Sequence, residues 1–165
     1  MNNELTKKDI EDMEAEIEHR TVVVRKELLE EVKRTRAFGD LSENFEYHAA
    51  KKAKNENESR IRYLERMIRT ATIIEDASGK DEIGVNKTVT IRMEDNGEEQ
   101  TVTVVTTVRG DALKGLISVE SPLGKALMGH VTGDQVHVEV SPQISYDVTV
   151  LSVQDAAQAA DLRNY

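Results

Sequence analysis

Asp40 and Glu43 are the two residues whose type and spacing point most directly to chemistry; they lie three apart in Gly39-Asp40-Leu41-Ser42-Glu43-Asn44, a break between two long helical patterns. Two uses of such a pair are open. The first is local: Asp40 as N-cap of the second helix and Glu43 at its third position, each accepting from a backbone N–H that would otherwise lack a partner, at the helix end that favours negative charge. On local pattern alone this is the stronger reading. The second is presentation to a hard divalent cation. Mg²⁺ accepts one or two protein carboxylates and completes its shell with water and substrate phosphates. Two carboxylates alone make a weak site, so they would act only inside a partner that already holds phosphates and another metal, where a second ion activates water for phosphodiester cleavage. The two uses are compatible, because one carboxylate oxygen can cap while the other stays available.

The elements that must position this pair are helical. Upstream, Ile10, Met13, Ile17, Val24, Leu28 and Val32 recur at steps of three, four or their multiples, and downstream Phe45, Ala49, Ala53, Ile61, Leu64, Ile68 and Ile74 do the same. The spacing predicts one helix from Thr6, its N-cap, to about Phe38, ended by Gly39, and a second from about Leu41 to about Thr72. Two apolar stripes joined by so short a connection should close into an antiparallel coiled coil with Asp40 and Glu43 at its tip. About 30 residues per arm at the α-helical rise give a rod on the order of 45 Å long. Residues 1–5 read as a frayed lead-in. Phe38 and Phe45 bracket the turn and are expected to pack on each other, while Arg20 and Lys52 put polar character into the seam and limit its stability.

After residue 76 the period changes. Residues 77–80 read as a linker, where turn-forming residues gather, and residues 81–165 as a β domain following a helical domain of residues 1–76. Residues 89–91, 100–105, 116–119, 136–140 and 147–150 alternate or are β-branched, and Asp95-Asn96-Gly97-Glu98 has hairpin-turn chemistry. Ser121 through Gly129 reads as a short helix, with Ser121 as N-cap and Pro122 at the first position. The fold class is α+β: a helical hairpin followed by a small, mostly antiparallel β domain. The tail from Gln154 to Tyr165 is Ala- and Gln-rich and is expected to be a short helix or without fixed structure.

Composition narrows the function. The formal net charge is −9, with 15 Lys and Arg against 18 Asp and Glu in residues 1–76, and 7 against 13 in the remainder. That balance argues against a broad surface for duplex nucleic acid, because phosphate binding runs on Lys and Arg, and it confines any basic surface to the helical half. The absence of cysteine excludes disulfides, thiolate metal sites and cysteine nucleophiles. The four histidines lack a two-His ligand spacing. No apolar run reaches the roughly 18 residues of a membrane span, and the polar start lacks a secretion signal, so a cytoplasmic location is expected.

Two blocks carry a family resemblance. Gly39-Asp40-Leu41-Ser42-Glu43-Asn44-Phe45-Glu46-Tyr47-His48-Ala49-Ala50-Lys51 closely resembles the tip motif of the bacterial GreA/GreB transcript-cleavage factors, and Leu116 to Gly129 followed by Gly133-Asp134 resembles the signature of their C-terminal domain. The blocks fall in the family's order and spacing. The resemblance implies an N-terminal coiled coil and an FKBP-like C-terminal β domain. It also implies RNA polymerase as partner, with the coiled coil entering the secondary channel. There Asp40 and Glu43, matching the family's essential acidic pair, would help the polymerase hold a second Mg²⁺ and cut backtracked RNA. The chain would then be an accessory factor with no turnover of its own, needing Mg²⁺ only as shared with polymerase. Arg34, Arg36, Lys51, Lys52 and Lys54 flank the tip as candidate contacts to extruded RNA, with solvated surface charge as the equally weighted alternative. Ser121, Pro122, Leu123 and Gly124 are candidate polymerase contacts, whereas Leu123, Leu127 and Met128 read more as core. Thr106 to Ala112 and Ser141 to Ser145 depart from the family pattern. Two other functions stay open: a Gre-like homologue that inhibits polymerase through the same channel, and a coiled-coil interaction module whose tip charges only cap a helix.

Overall fold

The computed structural model describes residues 3–40, 43–75, 78–157 and 160–163. The chain forms two compact units, one holding residues 8–71 and the other holding residues 3–7 together with the chain from Thr72 onward.

In the helical unit, α1 (Lys7–His19) runs through a π-helical turn at Arg20–Val24 into α2 (Arg25–Arg36), and α3 (Phe45–Arg69) returns alongside. The pairing is antiparallel, since Glu16 meets Arg60, Arg20 meets Asn57, and Thr35 meets Asn44. Met13, Ile61 and Leu64 are buried along the seam, as the periodicity requires. The π-turn interrupts the single helix expected from sequence. Its cause is Asn57, which accepts from Arg20 Nη1 at 3.0 Å and donates to the Arg20 carbonyl at 3.3 Å, while the Arg25 N–H also reaches that carbonyl. A side chain inserted into the ladder is a usual source of such a break. Lys52 corrects another expectation. It is exposed, with only a long 3.9 Å pair to Glu56, and takes no part in the seam.

The lead-in is ordered. Residues 3–5 form β1 (Asn3–Leu5), which pairs with β2 (Ala71–Ile73), and Leu5 is fully buried. Residues 3–7 therefore group with the second unit, and α3 stops at Arg69, short of Thr72, because the following residues are drawn into strand pairing.

The β unit holds five further strands: β3 (Lys87–Met93), β4 (Glu99–Val105), β5 (Leu116–Ser118), β6 (Gln135–Ser141) and β7 (Ile144–Asp155). Their order is β5-β4-β3-β7-β6, antiparallel except for the parallel pair β4–β5. Helix α4 (Pro122–Leu127) begins as expected, Ser121 capping it by accepting the Gly124 N–H at 3.1 Å, with Pro122 in its first turn. Val89, Ile91, Val102, Val104, Val136, Val138, Val148 and Val150 point to one core with Leu127, the period-two alternation placing them on a common face. Leu123 packs at the edge of this core and Met128 is exposed, so of the three apolar residues read as core only Leu127 is fully enclosed. The hairpin turn closes as expected, Gly97 at φ +73° with its N–H donating to the Met93 carbonyl. The Leu41 start of the second helix, Ser42, the residue 76–77 boundary and the last two tail residues lie outside the described residues.

Candidate functional site: an acidic tip and a basic flank

Thr35 and Tyr47 are the last buried residues of the two arms, and between them no described residue is buried. Asn44 ties the arms together at that level. Asn44 Oδ1 accepts the Tyr47 N–H at 3.0 Å as N-cap of α3, and its amide donates to the Thr35 carbonyl at 2.6 Å. Asn44 thereby ends one helix and starts the other.

The cap assignment from sequence is thus corrected: α3 is capped by Asn44, and Asp40 and Glu43 lie before the helix. Asn44 wins because only it can both accept from the helix and donate across to the opposite arm, which a carboxylate cannot do. Glu43 and Asp40 are both exposed, and with Phe38, Asn44, Phe45 and Glu46 they line a shallow depression at the tip. Gly39 permits the turn with φ +106°, a value only glycine takes without strain. Phe45 is 84% and Phe38 57% exposed, so they do not bury each other. Phe38 instead lies under the Arg34 guanidinium, 5.2 Å from its ring centroid.

The flanking cations divide. Arg34 is held by Glu31 in a two-bond pair of 2.9 and 2.6 Å, with Glu46 at 3.8 Å. Arg36 lies 5.8 Å from the Tyr47 ring centroid, and its hydrogen bond holds the Tyr47 phenol below the usual tyrosine range against the opposing pull of desolvation. Tyr47 is buried and holds Arg36 against its ring. Lys51 and Lys52 are exposed on α3 and line a groove with His48, Asn55 and Ser59. Among the described residues, no group of three or more His, Asp or Glu side chains is placed to hold a metal. The donor chemistry at the tip still suits one: two exposed carboxylates offer the hard oxygens Mg²⁺ takes, in the small number it accepts from protein.

Residues 3–73 of the chain match the family described as "Transcription elongation factor, N-terminal", and residues 78–155 match "Transcription elongation factor, GreA/GreB, C-term". The chain belongs to the GreA/GreB family of transcription elongation factors. The transcription elongation factor GreA of Streptococcus sanguinis is 44% identical over 151 residues, 91% of this chain and 94% of that protein. The GreA of Geobacillus kaustophilus is 46% identical over 136 residues, 82% of this chain and 86% of that protein. Among solved structures, the GreA factor homolog 1 of Thermus thermophilus is 28% identical and covers 93% of this chain and 99% of that one, with a TM-score of 0.43. At so low a score that likeness decides nothing further about this chain.

The other candidate contacts, Ser121, Pro122, Leu123 and Gly124, form a separate cluster in the β unit. The Ser121 hydroxyl donates to the Ser118 carbonyl at 2.6 Å while accepting from Gly124, and a Cβ at Gly124 would collide with that same carbonyl oxygen. Thr107 braces the turn, its hydroxyl donating to Glu120 at 2.5 Å and meeting Ser118 Oγ at 2.6 Å. Sequence reasoning missed Asn44, Thr107 and Glu120. Asn44 carried a legible signal, being a favoured cap type just before the apolar stripe, whereas Thr107 and Glu120 meet only in the folded chain.

Proposed function

We infer that this chain binds RNA polymerase, reaches into its secondary channel with the tip of the helical unit, and stimulates the polymerase's own cleavage of backtracked RNA. One observation carries the reading beyond family membership: Asp40 and Glu43 are exposed at the tip, and the cap of α3 belongs to Asn44. Neither carboxylate is the N-cap of α3. Asp40 and Glu43 would donate carboxylate oxygens to a Mg²⁺ held chiefly by the polymerase. Such an ion, when bound, lowers the pKa of a coordinated water and offsets charge on the phosphate. Arg36 and Lys51, on the two arms below the tip, face phosphates of the extruded RNA as point charges, and Ser121 to Gly124 contact the polymerase surface. The protein supplies reach and two acids, and the partner supplies the pocket, so the factor has no turnover alone. It acts where the polymerase is, in the cytoplasm.

The test is a stalled, backtracked polymerase complex carrying labelled RNA, incubated with Mg²⁺ and either the native chain or the Asp40→Asn/Glu43→Gln variant. Shortening of the RNA from its 3′ side by the native chain, lost in the variant while polymerase binding persists, is expected. Equal shortening with both proteins would overturn the role of the tip. Binding with slowed synthesis and no cleavage would mark an inhibitor of the same channel, and no response of polymerase to either protein would leave a coiled-coil interaction module.

A further inference from the structure

The tail beyond β7, expected to be a short helix or without fixed structure, holds no helix among its described residues. Residues 160–163 run along the turn at Thr107–Arg109. The Arg109 guanidinium, on a residue 7% exposed, donates to the Ala160 carbonyl at 2.5 Å, and the Arg163 N–H donates to the Val108 carbonyl at 2.6 Å. Asp161, half-buried Leu162 and Arg163 form one wall of a groove whose other walls include Ser121, Pro122 and Leu123. The match to the family ends at residue 155, so the strap lies outside the shared domain. Its seat, residues 106–112, is the stretch that departs from the family pattern. Two departures far apart in sequence thus meet in space, beside the motif assigned to polymerase contact.

We propose that the C-terminal strap is a built-in competitor for the docking groove, released when a segment of RNA polymerase seats against Ser121 to Gly124. The inference rests on the polymerase-binding reading above. Two bonds that hold the strap use its backbone, a carbonyl accepting at one end and an N–H donating at the other. Any extended peptide offers those same groups, so these two contacts do not depend on the strap's own sequence. Fully exposed Leu113 and half-buried Ile117 lie along the same groove, apolar surface that an incoming segment can cover. A chain whose groove is filled most of the time shows an apparent affinity lowered by the fraction of time the groove is open.

The experiment compares core polymerase binding by the full chain, by a chain lacking residues 158–165, and by full-length Leu162→Asp, which sets a charge on the half-buried strap residue. The deletion keeps the Ala156 N–H bond to the Asn86 carbonyl, and thermal unfolding checks that both variants remain folded. Both should bind polymerase more tightly, by about tenfold, the scale of one or two exchangeable hydrogen bonds. A peptide spanning residues 156–163, added to the deletion variant, should bind it directly and return its polymerase affinity toward that of the full chain. Unchanged or weaker polymerase binding by both folded variants overturns the competition while leaving the proposed function standing. Failure of all three chains to bind polymerase removes the function itself, and the peptide titration, which needs no polymerase, separates that result from a faulty groove. A peptide that does not bind the shortened chain overturns the seat.

Discussion

The helical unit places acidic residues in two settings, and the contrast shows what each is for. In the seam, Glu16 accepts from Arg60 at 2.7 Å and 3.2 Å and from Arg20 at 2.8 Å, while Arg20 also engages Asn57. Burial pulls the Glu16 carboxyl upward, but the hydrogen bonds from Arg60 and Arg20 outweigh it and hold the group below the usual glutamate range. At the tip, Asp40 and Glu43 stand beyond the last buried residues with solvent around them. An acid in the seam is committed to holding the arms in register, the best-attested use of buried polar groups in a helical pair. An acid at the tip stands exposed, outside the buried seam that joins the arms. The same residue type is thus engaged by a buried cation or left facing solvent according to where the fold puts it.

Mutations that exchange these roles test the contrast. Asp40→Asn/Glu43→Gln should lower stimulated RNA cleavage by about 100-fold or more, the scale seen when preorganised groups at a reacting centre are lost. The same variant should unfold at the native temperature; a clear fall in its melting temperature would mean the tip acids hold the fold. Glu16→Ala should do the reverse. Leaving Arg60 in the seam without its carboxylate should cost about 2 kcal/mol, less than for a fully enclosed pair because Glu16 keeps some contact with water, while cleavage by the folded fraction stays near native. Chemical denaturation alongside the cleavage assay separates the two effects.

Acid titration sharpens the same comparison at smaller scale. Because the folded Glu16 pKa is depressed, its contribution is fully present above the unfolded carboxylate value of about 4.3 and is lost as pH falls through the lower folded value. Melting temperature of the native chain should therefore drop more steeply below about pH 4.3 than that of Glu16→Gln, and parallel curves would show that Glu16 is not the group responsible. Asn44→Ala removes the cap of α3 and the tie to Thr35, and should cost about 1 kcal/mol in denaturant melts. It should also reduce cleavage modestly by loosening the tip, an effect Asp40→Asn alone would not mimic in stability. The smallest change is expected of Phe45→Ser. The residue is 84% exposed, so stability should move by less than about 0.5 kcal/mol, and a larger loss would show that Phe45 is packed in solution.

Much of this molecule is readable from local chemistry. The apolar stripes at helical period, the change to period two after the linker, the Gly97 hairpin and the Ser121-Pro122 helix start each depend on residues close in sequence, whose backbone preferences act before any tertiary contact forms. The location of Asp40 and Glu43 at a turn between helices follows from the same signals. Their release from capping does not. Asp40 and Asn44 are both competent N-caps by type, and the choice fell to the one that can also donate across the hairpin to Thr35.

Wherever the outcome hung on a partner distant in the chain, local pattern pointed elsewhere. Asn57 turned one stretch of the first arm into a π-turn by pairing with Arg20, β2 took Asn3–Leu5 out of a frayed end, and Arg109 drew the tail into a strap. Sequence by itself determined the two long helical arms, the strands of the larger sheet and where the acids sit, because period and turn chemistry are short-range properties. Tertiary structure decided which groups satisfy one another. A hydrogen-bonding side chain has several acceptable partners along the chain, and only the folded backbone brings one of them within reach.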